Sequence, residues 1–211
     1  MSECLHEPFR DQDHQRASVA LGMWAFLAQE ALFFGVLFAF YVNLRVRHPE
    51  IFAQYGHSLD WRLAAVMTAV LLVSSFTMVL AVRFAFRKQR RPLLWTLAAT
   101  AALGVAFLVM KAGEYAHHFE RGESPVIDLG GIGAEPGLQT FFGVYFVITG
   151  FHALHVLAGI AVLSWLWIRV RSGPAAEICA TPVMATGLYW HFVDIVWLFV
   201  FPALYLIGRV A

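Results

Sequence analysis

The sequence predicts an all-α membrane protein, a bundle of five transmembrane helices with a cytoplasmic N-terminus and a periplasmic C-terminus. Of its 211 residues, 60% are hydrophobic and 14% are charged, whereas about a quarter of the residues in a soluble domain are charged. The charged residues gather between apolar runs of about 20 or more residues, the length that crosses the hydrocarbon core of a bilayer. Lysines and arginines are unevenly distributed among the connections between these runs, which gives the orientation.

Each apolar run is expected to be a helix, because lipid leaves every backbone polar group to be satisfied within its own segment. The five runs cover residues 18–44, 61–86, 93–118, 138–168 and 182–207. Ser18 and Asp60 are the predicted N-caps of the first two helices. Residues 130–137, rich in glycine and containing a proline, cannot hold a helix together and form the core of the longest connection. Pro202 should bend the last helix, because the carbonyl of Leu198 loses its usual donor.

The orientation follows from the number of lysines and arginines on each side, since basic connections are retained in the cytoplasm more readily than they are translocated. Nine lie in the N-terminal segment and in the second and fourth connections, against six on the other side. We therefore expect residues 1–17 to be a cytoplasmic segment and residues 18–211 to form one five-helix transmembrane domain. Cys4 and Cys179 would both face the cytoplasm as free thiols. The net charge of +1 leaves no basic surface that would indicate a nucleic-acid partner.

Several ionisable side chains lie far from the predicted helix ends, where they cost several kcal/mol unless they find a partner or a wet cavity. Glu30 is near the middle of the first helix. His152 and His155 in the fourth helix, and His191 and Asp194 in the fifth, are each spaced i,i+3, so each pair shares one helical face. The third helix adds, nearer its outer end, Lys111, Glu114, His117 and His118. These positions are the candidates for a buried polar framework or for a proton or lipid site.

Two interpretations of Glu30 stay open: a buried carboxylate that handles protons or fixes a lipid head group, and a neutral acid satisfied by a neighbouring helix. A metal site is disfavoured, because two histidines on one face of one helix cannot supply opposed axial ligands to a heme. Copper would need further histidines, and only His191 lies at similar depth. Hydrogen bonds between helices are favoured, from His155 or His191 to Glu30, or from His191 to Asp194. We assign no catalytic, cofactor-binding or metal-binding residue to the chain.

Four motifs, taken in order, resemble those of cytochrome c oxidase subunit III. Residues 187–202 contain the Trp-His-Phe-x-Asp-x-x-Trp pattern of that family's closing helix, and residues 150–156 read Gly-Phe-His-Ala-Leu-His-Val. Glu30 precedes an aromatic-rich run, and Glu114-Tyr115 ends a helix. The longer family members have two more helices at the N-terminus, so the resemblance is to the five-helix form found in bo-type quinol oxidases and some bacterial cytochrome c oxidases.

The resemblance implies a non-redox subunit of a proton-pumping terminal oxidase, which reduces oxygen to water in aerobic respiratory electron transport. Such a subunit lies in the bacterial inner membrane as a multi-pass protein and packs beside catalytic subunit I in a hetero-oligomer with subunit II, with subunit IV as a further candidate. It binds structural phospholipid and supports proton uptake, proton translocation and stability during turnover. Hemes and coppers belong to the partner subunits, so this chain would hold no redox cofactor and would not be catalytic alone.

The same resemblance gives the polar residues their expected roles. Glu30 corresponds to the family's carbodiimide-reactive buried carboxylate, and its surroundings are the expected lipid contact. The other polar candidates are expected to form the polar framework inside the bundle: Glu114, His152, His155, His191 and Asp194.

Two alternatives from other classes remain. One is a five-helix accessory protein of a nitric oxide reductase. The other is a free-standing proton-coupled transporter, which is disfavoured because such transporters usually show two matching halves or interrupted helices and this chain's five helices have no detectable pseudo-symmetry.

Overall fold

The computed structural model describes residues 11–121, 136–173 and 179–206. Throughout these residues the regular structure is helical, and five helices are long and apolar enough to cross a membrane. The elements are α1 (Gln12–Arg47), α2 (Pro49–Gly56), α3 (Trp61–Phe86), α4 (Arg90–Glu120), α5 (Pro136–Ser172) and α6 (Ala180–Phe201), followed by a π-turn (Pro202–Leu206). The predicted fold class, all-α with five transmembrane helices, is confirmed.

The first helix begins at Gln12 and not at residue 18, so part of the predicted N-terminal segment is helical. Its N-cap is Asp11, whose carboxylate accepts the backbone N–H of His14 at 2.7 Å. Ser18 therefore lies inside the helix, and its prediction as N-cap is wrong. Hydropathy missed this start because the first turns are polar and lie outside the apolar run.

A short helix that the sequence did not predict, α2, follows α1 directly. Pro49 begins it, at a position where the missing N–H costs nothing because it would have no partner within the helix. Phe52 is buried and packs edge to face against Tyr41 and Phe141. The helix thereby links the end of α1 to the start of α5. Asp60 then caps α3 by accepting the backbone N–H groups of Arg62 and Leu63, as predicted.

The turn from α3 to α4 closes tightly through a left-handed residue. Lys88 has a φ of 54°, its N–H donates to the carbonyl of Ala85, and the N–H of Gln89 donates to the carbonyl of Phe84, each at 3.0 Å. This pair of bonds satisfies carbonyls that the end of a helix leaves without partners. The two helices leave the turn antiparallel and pack along each other.

Helices α3, α4, α5 and α6 form a closed ring in which each packs against the next, and α1 lies outside this ring against α6 and α5. The centre of the ring is filled by Trp190, whose indole N–H donates to the hydroxyl of Ser74 at 3.0 Å. A Cβ at Gly104 or Gly159 would lie 2.8 or 2.7 Å from this indole ring. Only glycine therefore fits at these two points of α4 and α5 while the indole keeps its place.

Pro202 ends the regular part of the last helix, and the chain continues as the π-turn. Within that turn the carbonyl of Ala203 accepts the hydroxyl of Tyr41, which also accepts from the guanidinium of Arg45 at 2.8 Å. The proline thus marks a change of helix type, and the altered turn is bound to the end of α1.

Cys179, the residue before α6, is disulfide-bonded in the structure. The expected free thiol is therefore wrong for this residue, because an argument from compartment does not decide whether a particular cysteine is paired. Cys4 and most of the glycine-rich connection, residues 130–135, lie outside the described residues.

Candidate functional site

The centre of the candidate site is a contact between α1 and α5. Glu30 Oε2 lies 3.0 Å from His155 Nε2, and both side chains are largely buried, with exposures of 14% and 18%. The predicted hydrogen bond from His155 to Glu30 is thus present in the structure. It joins the outlying helix α1 to the four-helix ring at mid-membrane.

The hydrogen bonds of His155 fix how many protons this pair can hold. Its Nδ1 lies 2.7 Å from the carbonyl oxygen of Phe151, and because a carbonyl only accepts, Nδ1 must carry a hydrogen. A hydrogen bond between Nε2 and the Glu30 carboxyl then needs one further proton, held on either atom. The pair is neutral overall in both arrangements, a carboxylic acid beside imidazole or a carboxylate beside imidazolium. One proton can therefore pass between the two atoms without a net change in buried charge.

Aromatic rings enclose the pair on several sides. Phe33 stacks edge to face on Phe151, with ring centroids 5.0 Å apart, and Phe34 lies edge to face with the imidazole at 5.1 Å. The hydroxyl of Tyr189 donates to the backbone carbonyl of His155 at 2.9 Å. The rings keep water from most of the pair, and the hydrogen bond from Tyr189 fixes the helix segment that carries the imidazole.

An apolar groove opens beside the pair, between α1, α6 and the π-turn. Its volume is about 550 Å³. Its walls include Phe34, Phe38, Phe192 and Phe199, and Pro202 lies at one end. A groove lined in this way suits a hydrocarbon chain and has no polar group that would hold a soluble metabolite.

A second polar centre lies between α4, α5 and the π-turn. The Lys111 ammonium, only 1% exposed, donates to Glu114 Oε2 at 3.0 Å and to the hydroxyls of Tyr145 and Tyr205 at 2.9 and 2.7 Å. Glu114 Oε1 accepts the Tyr205 hydroxyl at 2.7 Å. Since an ammonium has three N–H groups, all of its donors are used. The cluster is a closed ion pair that binds three elements together.

Among the described residues, His191 makes neither of the hydrogen bonds considered from the sequence. Its Nδ1 lies 2.7 Å from the hydroxyl of Ser75 on α3. The hypotheses that it bonds to Glu30 or to Asp194 are therefore wrong. Spacing along α6 gave the face of His191 correctly, but not the neighbouring helix that this face meets.

His152 and Asp194 are the two framework residues whose buried polar atoms make no hydrogen bond of normal geometry among the described residues, although the Ser75 hydroxyl lies near the Asp194 carboxyl. His152 is fully buried, with its ring 5.1 Å from that of Trp197 and 5.5 Å from that of Phe107. Asp194 is 4% exposed. Buried polar atoms of this kind are normally satisfied by protein or by internal water. These two positions are thus where the interior of the ring can hold water.

The sequence did not mark Tyr145, Tyr205 and Ser75, and it placed Lys111 only on a shared face with Glu114. The i,i+3 spacing of Lys111 and Glu114 was a usable signal for their ion pair. No such signal existed for the tyrosines, because they reach the cluster from α5 and from the π-turn. Within the described residues, no three side chains of His, Cys, Asp or Glu converge as a metal site.

Comparison with known proteins identifies the family of the chain. The family described as cytochrome c oxidase subunit III matches residues 11–209. A protein of Staphylococcus epidermidis named probable quinol oxidase subunit 3 is 31% identical over 202 residues. The match covers 93% of this chain and 92% of that protein. Proteins of the same name from Staphylococcus haemolyticus and Staphylococcus aureus are 29% and 28% identical over 197 residues, with the same coverage.

The five apolar helices and these relatives define a multi-pass bacterial membrane protein of the oxidase-subunit class. The chain belongs to the cytochrome c oxidase subunit III family.

Proposed function

We propose that the chain is the non-redox subunit of a proton-pumping terminal oxidase complex that reduces oxygen to water in aerobic respiration. The observation that carries the proposal is the family match over residues 11–209, nearly the whole chain. In this proposal hemes and coppers belong to subunits I and II, with which the chain forms a hetero-oligomer, with subunit IV as a further candidate. The relatives are named as quinol oxidase subunits, which favours a quinol as the electron donor of the complex.

The Glu30–His155 pair is the group we propose for proton handling. It can hold one proton in a neutral pair, and the atoms that share it are 3.0 Å apart. Because the pair is mostly shielded from water, its proton would exchange through the small part of the two side chains that remains exposed. This arrangement suits a role in supporting proton uptake by the complex.

The groove between α1 and α6 is the phospholipid site in the same proposal. An acyl chain would lie against Phe34, Phe38 and Phe199, and Phe34 also contacts the His155 imidazole. A bound chain would add contacts between α1 and α6, which pack against each other. We therefore expect lipid bound there to hold α1 in place and to lengthen the working life of the complex.

Deletion of the chain tests this function. The oxidase from deletion cells should still reduce oxygen, because the redox centres are elsewhere, but it should inactivate after fewer turnovers and take up protons more slowly. The readouts are oxygen consumption followed to inactivation and proton uptake by the complex in vesicles, with the reintroduced wild-type chain as control. An oxidase that is unchanged by deletion, or an absence of oxidase from the cells, contradicts the proposal.

A further inference from the structure

The hydroxyl of Ser75 on α3 lies between two ionisable side chains of α6. Its oxygen is 2.7 Å from Nδ1 of His191, and it also lies near the Asp194 carboxyl. His191 is half-buried, whereas Asp194 is only 4% exposed. One hydroxyl group is therefore next to both a histidine that reaches the surface of the chain and an acid that does not.

Asp194 shares the inner face of α6 with two buried tryptophans. Trp190, one turn before it, fills the centre of the ring, and Trp197, three residues after it, packs against Phe107 of α4 and His152 of α5. Neither carboxyl oxygen of Asp194 makes a hydrogen bond of normal geometry to a described residue. The carboxyl is thus enclosed by the ring with its hydrogen-bonding capacity unused.

Asp194 also has no cation as a partner in the part of the chain that the structure describes. The buried ammonium of Lys111 on α4 uses its three N–H groups within its own cluster. A buried polar group left without a hydrogen bond is costly. The nearby Ser75 hydroxyl can remove that cost after a small rotation of the carboxyl, since a hydroxyl accepts as well as donates.

The three side chains then have two arrangements that are both neutral overall. In the first, the Asp194 carboxylic acid donates to Ser75, and Ser75 donates to Nδ1 of His191. In the second, the proton of Asp194 has moved to the Ser75 oxygen and the original Ser75 proton has moved to Nδ1, which leaves a carboxylate and an imidazolium. One O–H bond breaks at the carboxyl and one N–H bond forms at the imidazole, so the serine is unchanged and no net charge is created.

We propose that Ser75 relays a proton between the buried Asp194 carboxyl and the half-buried His191 imidazole, and so connects the inside of the ring with the surface between α3 and α6. Asp and His side chains inside a membrane are the residue types from which proton relays are built. The relay is separate from the Glu30–His155 pair, which joins α1 to α5. The inference depends only on residues of this chain and not on the oxidase function proposed above.

The test follows hydrogen–deuterium exchange at the Asp194 carboxyl by infrared spectroscopy, in the full chain purified with the subunits that accompany it. The C=O band of the Asp194 carboxylic acid is the band that Asp194→Asn removes, and its shift after transfer to heavy water gives the exchange rate. Ser75→Ala removes the relaying hydroxyl, and Ser75→Thr keeps it. The matched control is Ser164→Ala, which removes a serine hydroxyl that bonds only along its own helix, to the carbonyl of Ile160 on α5.

Wild type, Ser75→Thr and Ser164→Ala should exchange alike. Ser75→Ala should exchange about tenfold more slowly, the factor that corresponds to the loss of one hydrogen bond of ordinary strength. His191→Phe should slow exchange to a similar extent, and the double variant Ser75→Ala with His191→Phe should be no slower than either single variant, because both changes interrupt the same path.

Three results overturn the proposal. Wild-type exchange in Ser75→Ala or in His191→Phe would show that the proton reaches Asp194 by another path. Equal slowing by Ser75→Thr and Ser75→Ala would assign the effect to packing and not to the hydroxyl. An unchanged carboxylic acid spectrum in Asp194→Asn would show that Asp194 carries no proton to relay.

Discussion

Proton exchange between Glu30 and His155 can be tested at the level of single atoms. The Nδ1 hydrogen of His155 is committed to the carbonyl of Phe151, so the partner of Nε2 must share or supply a proton. Glutamine in place of Glu30 can donate an amide hydrogen to Nε2 in nearly the same shape, but it cannot release that hydrogen. The substitution therefore keeps the hydrogen bond to His155 and removes the proton that can be transferred.

Glu30→Gln should leave the free energy of unfolding within about 1 kcal/mol of wild type, since one hydrogen bond replaces another. It should remove an infrared band that a proton shared by carboxyl and imidazole contributes, and slow proton uptake by the complex. Glu120→Gln, at the end of α4 and exposed, is the matched control and should change neither. Wild-type proton uptake in Glu30→Gln would contradict the assigned role of the pair.

Sequence reasoning found Glu30, His152, His155, His191 and Asp194 because ionisable groups at mid-membrane are costly and therefore conspicuous. It identified only one cross-helix contact correctly, the hydrogen bond between Glu30 and His155. Spacing along a helix tells which residues share a face, but it does not tell which helix that face meets. The bond between His191 and Ser75 needed the packing of α6 on α3.

At the scale of elements, the Lys111 cluster decides where the π-turn lies. Lys111→Met would leave the Glu114 carboxylate and two tyrosine hydroxyls buried with fewer partners. Breaking one side of a buried ion pair costs about 3–5 kcal/mol, so the variant should unfold at lower denaturant concentration. The measurement is unfolding in mixed micelles, followed by the fluorescence of the tryptophans.

The control for this prediction is the double variant Lys111→Met with Glu114→Gln. It removes the stranded charge and keeps an amide that can bond to Tyr205, so it should recover part of the lost stability. If Lys111→Met alone is as stable as wild type, the cluster does not hold the π-turn as described.

The packing of α4 around Trp190 gives a second element-scale prediction. A Cβ at Gly104 would meet the indole at 2.8 Å, whereas a Cβ at Gly113 in the same helix has open space within 4 Å. Gly104→Ala should therefore destabilise the protein by about 1–3 kcal/mol, and Gly113→Ala should stabilise it by up to about 1 kcal/mol through helix propensity. The same unfolding measurement compares the two, and equal effects would show that Trp190 does not fill the ring.

Hydropathy predicted the five long helices because a bilayer imposes both their length and their composition. It could not predict α2, whose eight residues are too few to span, or the polar first turns of α1. Pro202 signalled an interruption, but the sequence did not specify that a π-turn would follow. Those features depend on caps and on contacts with other helices.

At the scale of the whole molecule, α1 lies outside a ring made by the other four spanning helices and is joined to it mainly through α6, α5 and the Glu30–His155 bond. Its outward residues include Leu21, Trp24, Leu32 and Val36, all well exposed. Such a surface must face lipid or another membrane subunit. The exposed surface of α1 is therefore available for contact with other subunits. Family membership indicates that the expected assembly is an oxidase complex.

The central claim, that this chain works as a non-redox subunit of an oxidase, is tested most directly by purification through a C-terminal tag in mild detergent. The absorbance spectrum is recorded and the copurifying chains are identified by mass spectrometry. The account predicts heme absorbance together with a large oxidase subunit, and no heme absorbance from the chain once it is separated. A colourless, solitary protein would contradict the account and favour a transporter, and copurification with a nitric oxide reductase would assign the chain to that enzyme instead.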